Sequence, residues 1–124
     1  MLPAFILPEQ SVDTNGSGDS LELLDNRKKV LLLTLGITEV VEQESLDILI
    51  KGSVDGEEWD DKALQVFPQK FYRGTSALLL DLREHPEVRY LRADWLVHRW
   101  GVGSKTPLFR FYLHAEVFTG SIAA

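Results

Sequence analysis

From Val88 to Trp100 the chain alternates between two kinds of position: Leu91, Ala93, Trp95 and Val97 fall on one face, and Tyr90, Arg92, Asp94 and His98 on the other. Successive side chains of a strand point to opposite faces, so this spacing predicts a half-buried β-strand. Leu108 to Phe118 repeats the pattern, with Phe109, Phe111, Leu113, Ala115 and Val117 inward and Arg110, Tyr112, His114 and Glu116 outward. Leu46, Ile48 and Ile50 alternate with Asp47 and Lys51 in the same way. Val30–Ile37 and Ala77–Leu82 are near-continuous apolar runs, too short to favour a helix, and predict buried strands. Shorter strands are expected around Pro68 and over Leu21–Leu24. Glu39, Glu42 and Glu44 favour a helix over Thr38–Leu49, but the apolar residues there form no stripe, so a loop or strand end is expected.

Residues 1–28 differ from the rest. An apolar arm containing Pro3 and Pro8 is followed by Asp13-Thr14-Asn15-Gly16-Ser17-Gly18-Asp19-Ser20, a turn composition. Proline is confined to strand edges, so the arm reads as an extended edge strand of its own sandwich or as an arm laid on a neighbour. The expected organisation is an N-terminal arm and turn over 1–28, a sandwich domain over 29–120 and a short tail over 121–124. Roughly eight strands spaced by turn signals predict an all-β, single-domain antiparallel β-sandwich of jelly-roll type, with an immunoglobulin-like sandwich as the alternative. Leu33, Leu46, Ile48, Leu91, Trp95, Phe109, Phe111 and Leu113 are its predicted core. If the last two long strands are neighbours with His98 opposite Arg110, then Leu96 lies opposite Tyr112, Asp94 opposite His114 and Arg92 opposite Glu116.

Composition narrows the function classes. The 124 residues include no cysteine, which excludes disulfides and thiolate metal sites. A formal charge of −6 and the lack of a basic cluster argue against nucleic acid. The N-terminus has no basic region before its proline-broken apolar run, and no stretch is long enough to span a bilayer, so a cytoplasmic protein is expected if Met1 is the native start.

The most informative segment is Ser53-Val54-Asp55-Gly56-Glu57-Glu58-Trp59. Asp55-Gly56 supplies a tight turn, after which Trp59 is expected to fold back over the open edge of the core. Together with Val88-Arg89-Tyr90-Leu91-Arg92, which follows in the same order, it resembles discoidin-type, galactose-binding-like jelly rolls. It is similar also to small β-sandwich proteins of phage particles and to short bacterial proteins. With the bacterial proteins the resemblance extends to Phe67-Pro68-Gln69-Lys70-Phe71 and Arg99-Trp100-Gly101-Val102-Gly103, covering about residues 30–118. The resemblance implies the sandwich fold and, through its end loops, a carbohydrate or similar polar ligand held by Asp55, Trp59, Arg99 and Trp100. The cysteine pair common in the extracellular members is missing.

No arrangement completes a reactive or metal centre. The turn from Asp13 begins like a calcium loop, but the position of the closing carboxylate falls on Leu24, and the acidic run Asp55 to Asp61 reads as a solvated turn. His85, His98 and His114 lie in separate segments without metal spacing. No nucleophile motif or phosphate loop is present. The expectation is therefore a protein that is not an enzyme and uses no cofactor or metal. Its expected role is a structural or interaction module that assembles with itself or another protein through the arm and an aromatic loop. Phe5, Ile6, Leu7, Leu96, Trp100, Leu108, Tyr112 and Phe118 are the candidate interface residues. The alternative is the ligand-binding module that the resemblance implies.

Overall fold

Each stretch with period-two apolar spacing is a strand in the computed structural model, which describes residues 2–12, 15–40, 44–70, 73–99 and 109–118. Among them nine strands follow in order: β1 (Ala4–Val12), β2 (Gly16–Ser17), β3 (Leu21–Glu22), β4 (Val30–Val40), β5 (Glu44–Ser53), β6 (Gln65–Lys70), β7 (Gly74–Asp81), β8 (Tyr90–Arg99) and β9 (Phe109–Val117). One sheet has four strands in the order β1-β9-β4-β7; the other has five, in the order β2-β8-β5-β6 with β3 also on β8. All described pairings are antiparallel. With β2 and β3 taken as two pieces of one interrupted strand, the pairs nest: first with last, second with next to last, and so inward to β5 with β6. This nesting is the wrap of an eight-stranded jelly roll.

The inner faces meet as the alternation predicts. Leu31, Leu33, Leu35 and Ile37 of β4 and Phe109, Phe111, Leu113 and Ala115 of β9 are buried against Leu46, Ile48 and Ile50 of β5 and Leu91, Ala93 and Trp95 of β8. Trp95 and Phe111 touch edge to face across the core, with ring centroids 6.1 Å apart. That contact shows why the predicted pairing of the last two long strands fails. β8 and β9 face each other from opposite sheets; β8 pairs with β5 and β9 with β4 and β1. Alternation tells which residues point inward but is the same for two strands side by side and two strands face to face. Leu96 and Tyr112 consequently lie on opposite outer surfaces, and Arg92 pairs with Asp94 of its own strand at 2.9 Å rather than with Glu116.

The N-terminal arm belongs to the sandwich: β1 forms an edge of the four-stranded sheet, and β2 and β3 form an edge of the other. Register shifts on either side of Leu7 break strict alternation in β1, which lets the adjacent Ile6 and Leu7 both reach the core (4% and 1% exposed) while Phe5 stays outside. The Ala77–Leu82 run is less buried than expected. β7 is an edge strand, so Ala77 and Leu79 face solvent and only Leu80, and Leu82 just beyond the strand, are fully covered. The Thr38–Leu49 region divides between the end of β4 and the start of β5, with no helix in its described residues.

Candidate ligand-binding face

The outer surface of the four-stranded sheet carries an unusual gap. Gly36 sits in the middle of β4, opposite Tyr112 of β9. A side chain there would collide with the Tyr112 ring, which lies across the position and covers it. An isolated glycine in a strand often marks such a close approach. Tyr112 thus leans over β4, and Phe5 of β1 stands perpendicular to it, the ring centroids 5.8 Å apart at 85°. Phe5 also meets His114, two residues along β9, edge to face at 5.1 Å. These three rings, with Pro8, Glu9 and Thr34, line an open recess of about 500 Å³. Phe5 is 54% exposed within it.

Polar groups border the rings in a fixed arrangement. Arg110 Nε donates to Glu9 Oε2 at 2.8 Å, and the Thr38 hydroxyl lies 3.0 Å from both that oxygen and the Arg110 carbonyl, its single proton shared between them. The Arg110 guanidinium and then the Thr38 hydroxyl hold the Glu9 carboxyl below the usual carboxylate range. The charge of Arg110 is therefore balanced within the face. His114 Nδ1 lies 3.9 Å from Glu116 Oε2. The recess offers ring faces together with hydroxyl, imidazole and carboxylate groups, a combination suited to a polar ligand with an apolar side.

The predicted ligand loop is organised differently. Ser53, 2% exposed, accepts from the N–H groups of Asp55 (3.3 Å) and Gly56 (2.8 Å), and its hydroxyl proton reaches the Glu58 carbonyl at 2.6 Å or Asp55 Oδ1 at 3.1 Å. Asp55 Oδ1 accepts from the N–H groups of Glu57 (2.9 Å) and Glu58 (3.0 Å). Those two N–H groups, Glu58 first, and then the Ser53 hydroxyl keep the Asp55 carboxyl below its ordinary range. Gly56 takes φ +80°, the left-handed region the turn requires. Asp55 is thus committed to holding the turn. Trp59 does not cap the core; it lies on the outer face of the five-stranded sheet with the Arg92 guanidinium 4.7 Å from its ring centroid. The recess beside it, lined by Val54, Asp55, Glu58, Trp59 and Asp60, is small, about 210 Å³.

Of the other predicted site residues, Phe5 and Tyr112 come together in the recess. Ile6 and Leu7 are core, and Leu96 is half-buried on the opposite sheet. Phe118 is half-buried just after β9, its N–H donating to the Val30 carbonyl at 2.9 Å. Trp100, Leu108 and the side chain of Arg99 lie outside the described residues, as do Asp13 and Thr14 of the turn that begins like a calcium loop. Glu9, Thr34 and Gly36 were not singled out from sequence; the glycine interrupting the apolar run of β4 was the available signal. Neither protein-family models nor curated protein sequences yield a match to the chain.

Proposed function

We propose that this chain is a binding module that recognises a neutral, hydroxyl-rich ligand, a carbohydrate, on the outer face of its four-stranded sheet. The observation that carries the reading is the Tyr112 ring laid over Gly36 with Phe5 upright beside it. Sugars present apolar C–H faces rimmed by hydroxyls, and such a face matches an exposed ring flanked by Glu9, Thr34 and His114. A neutral ligand is favoured because Arg110 is already paired with Glu9 and the chain carries a net charge of −6. The resemblance to galactose-binding-like sandwiches agrees with this ligand class but places it elsewhere, since the Ser53–Trp59 segment that carries the resemblance is spent on its own turn.

The test is titration calorimetry and affinity electrophoresis against soluble neutral polysaccharides (a glucan, a galactan and a mannan) with an anionic one for comparison. Binding to at least one neutral polymer is expected, weakened more than about tenfold by Tyr112→Ala and retained in Trp59→Ala, which alters the opposite sheet. No binding to any neutral polymer, or loss with Trp59→Ala but not with Tyr112→Ala, would refute the proposal.

A further inference from the structure

A sheet edge presents unpaired backbone groups, and proteins usually blunt it. Among the described residues three of the four sheet edges are blunted. β1 contains Pro8, which has no N–H, and shifts register twice against β9; β6 contains Pro68 and shifts register against β5; β2 and β3 have two residues each. β7 has no such feature. Its eight residues, Gly74-Thr75-Ser76-Ala77-Leu78-Leu79-Leu80-Asp81, hold no proline and no charge before Asp81, and they pair with β4 from Ile37↔Gly74 to Val30↔Asp81 without a shift.

Backbone parity shows which groups are turned outward. The Leu82 N–H, one residue past the strand, donates to the Lys29 carbonyl at 2.9 Å, so even-numbered residues turn their backbone toward β4. Thr75, Ala77 and Leu79 turn theirs away; accordingly the Leu79 carbonyl accepts from Gln65 Nε2 of β6 at 3.1 Å. The side chains of the same three residues are exposed on the outer face.

We propose that β7 is a dimerisation edge, onto which β7 of a second copy of this chain adds antiparallel, joining two four-stranded sheets into one of eight. The occupant follows from self-complementarity. With Ala77 on the twofold axis, Ala77 faces its own copy and Thr75 faces Leu79, so the outward-turned backbone groups meet one another. The same register sets Arg73, exposed just before the strand, opposite Asp81 of the second copy at both ends, where it joins the Arg83 guanidinium that already lies 2.7 Å from that carboxylate. Leu79 exchanges its Gln65 donor for a Thr75 N–H of the second copy. A closed twofold contact results, and its surface is used once. This edge is separated from Tyr112 by β4, so the proposal stands apart from the ligand site.

Light scattering on the full chain over a range of concentrations tests it. The expected mass is twice the 14.0 kDa of one chain, falling to one chain on dilution. Ala77→Lys changes only an exposed side chain and sets like charges on the axis; Ala77→Pro removes an N–H that β4 does not use. Each is expected to give a monomer with an unchanged circular dichroism spectrum and unchanged polysaccharide binding. A monomer at every concentration, or a dimer indifferent to both substitutions, overturns the proposal. So does a chain that stays monomeric alone yet binds a different protein in an Ala77-dependent way, an outcome that would assign the edge to a foreign strand.

Discussion

Replacing Ser53 with alanine removes one hydroxyl from a buried position at the end of β5 and tests whether the Ser53–Trp59 segment is a structural turn. Two of its bonds are short, from Gly56 N–H at 2.8 Å and to the Glu58 carbonyl at 2.6 Å, while the Asp55 N–H at 3.3 Å adds little. At about 0.5–1.5 kcal/mol net per bond, the two short ones put the loss at about 1–3 kcal/mol. With an unfolding entropy of about 2.1 cal/mol/K per residue, a chain of 124 residues then loses about 4 °C of Tm for each kcal/mol. Urea unfolding at neutral pH measures the effect as a lower midpoint at constant m-value. Val54→Ala, at a neighbouring exposed position, is the control and is expected to stay within about 0.5 kcal/mol of wild type. Ser53→Ala and Asp55→Ala should also be strongly non-additive, because the two side chains secure one turn. A loss below about 0.5 kcal/mol for Ser53→Ala, or simple additivity with Asp55→Ala, would refute the assignment of both residues to the turn.

Phe111→Ala, which empties a fully buried site beneath Trp95, is expected to cost about 3–5 kcal/mol by denaturant unfolding; a cost below about 1 kcal/mol would contradict the packing of β9 against β8. Gly36→Ala should displace the Tyr112 ring, visible as changed Tyr112 and Phe5 ring signals by NMR, and weaken polysaccharide binding while leaving the fold intact. Asp55 has a folded-state pKa below its ordinary value of 3.8, so its stabilisation is complete above that value and is lost as pH falls through the folded pKa. Unfolding midpoints measured downward from about pH 4 should therefore fall less steeply in Asp55→Asn than in wild type.

The inward residues were legible because a half-buried strand has only one way to satisfy alternation: Leu91-Ala93-Trp95 and Phe109-Phe111-Leu113 are buried as read. Strand neighbours were not legible from the same signal, and the expected Arg92–Glu116 and Asp94–His114 pairs gave way to Arg92–Asp94 and His114–Glu116 contacts within single strands. In β1 a register shift defeated alternation, so Ile6 and Leu7, read as surface, fill the core. At Ser53–Trp59 the turn was legible from Asp55-Gly56, but the destination of Trp59 depended on Arg92, more than thirty residues on, and no local pattern reports that. The candidate recess depends on an absence, the missing side chain of Gly36, and on the return of β9 beside β4 and β1. Only a fold that joins three distant segments makes those residues neighbours.

The nested pairing also governs how the molecule can come into being. Of the four inner strands, β8 and β9 are the last two described strands, and each is needed on both sides: β8 by β5 and by β2 and β3, β9 by β4 and β1. A chain emerging from the ribosome carries β1 with Ile6 and Leu7 uncovered until residues near Ala115 arrive to pair with Ala4. Such closures spend loop entropy before any contact repays it, which makes for slow folding in which the sheets form together rather than strand by strand. The waiting chain shows sticky strand edges to its surroundings and is at its most vulnerable to aggregation just before completion. Loss of β9 would therefore not trim the domain but split the four-stranded sheet, parting β1 from β4 and uncovering the core face that Phe109, Phe111 and Leu113 fill.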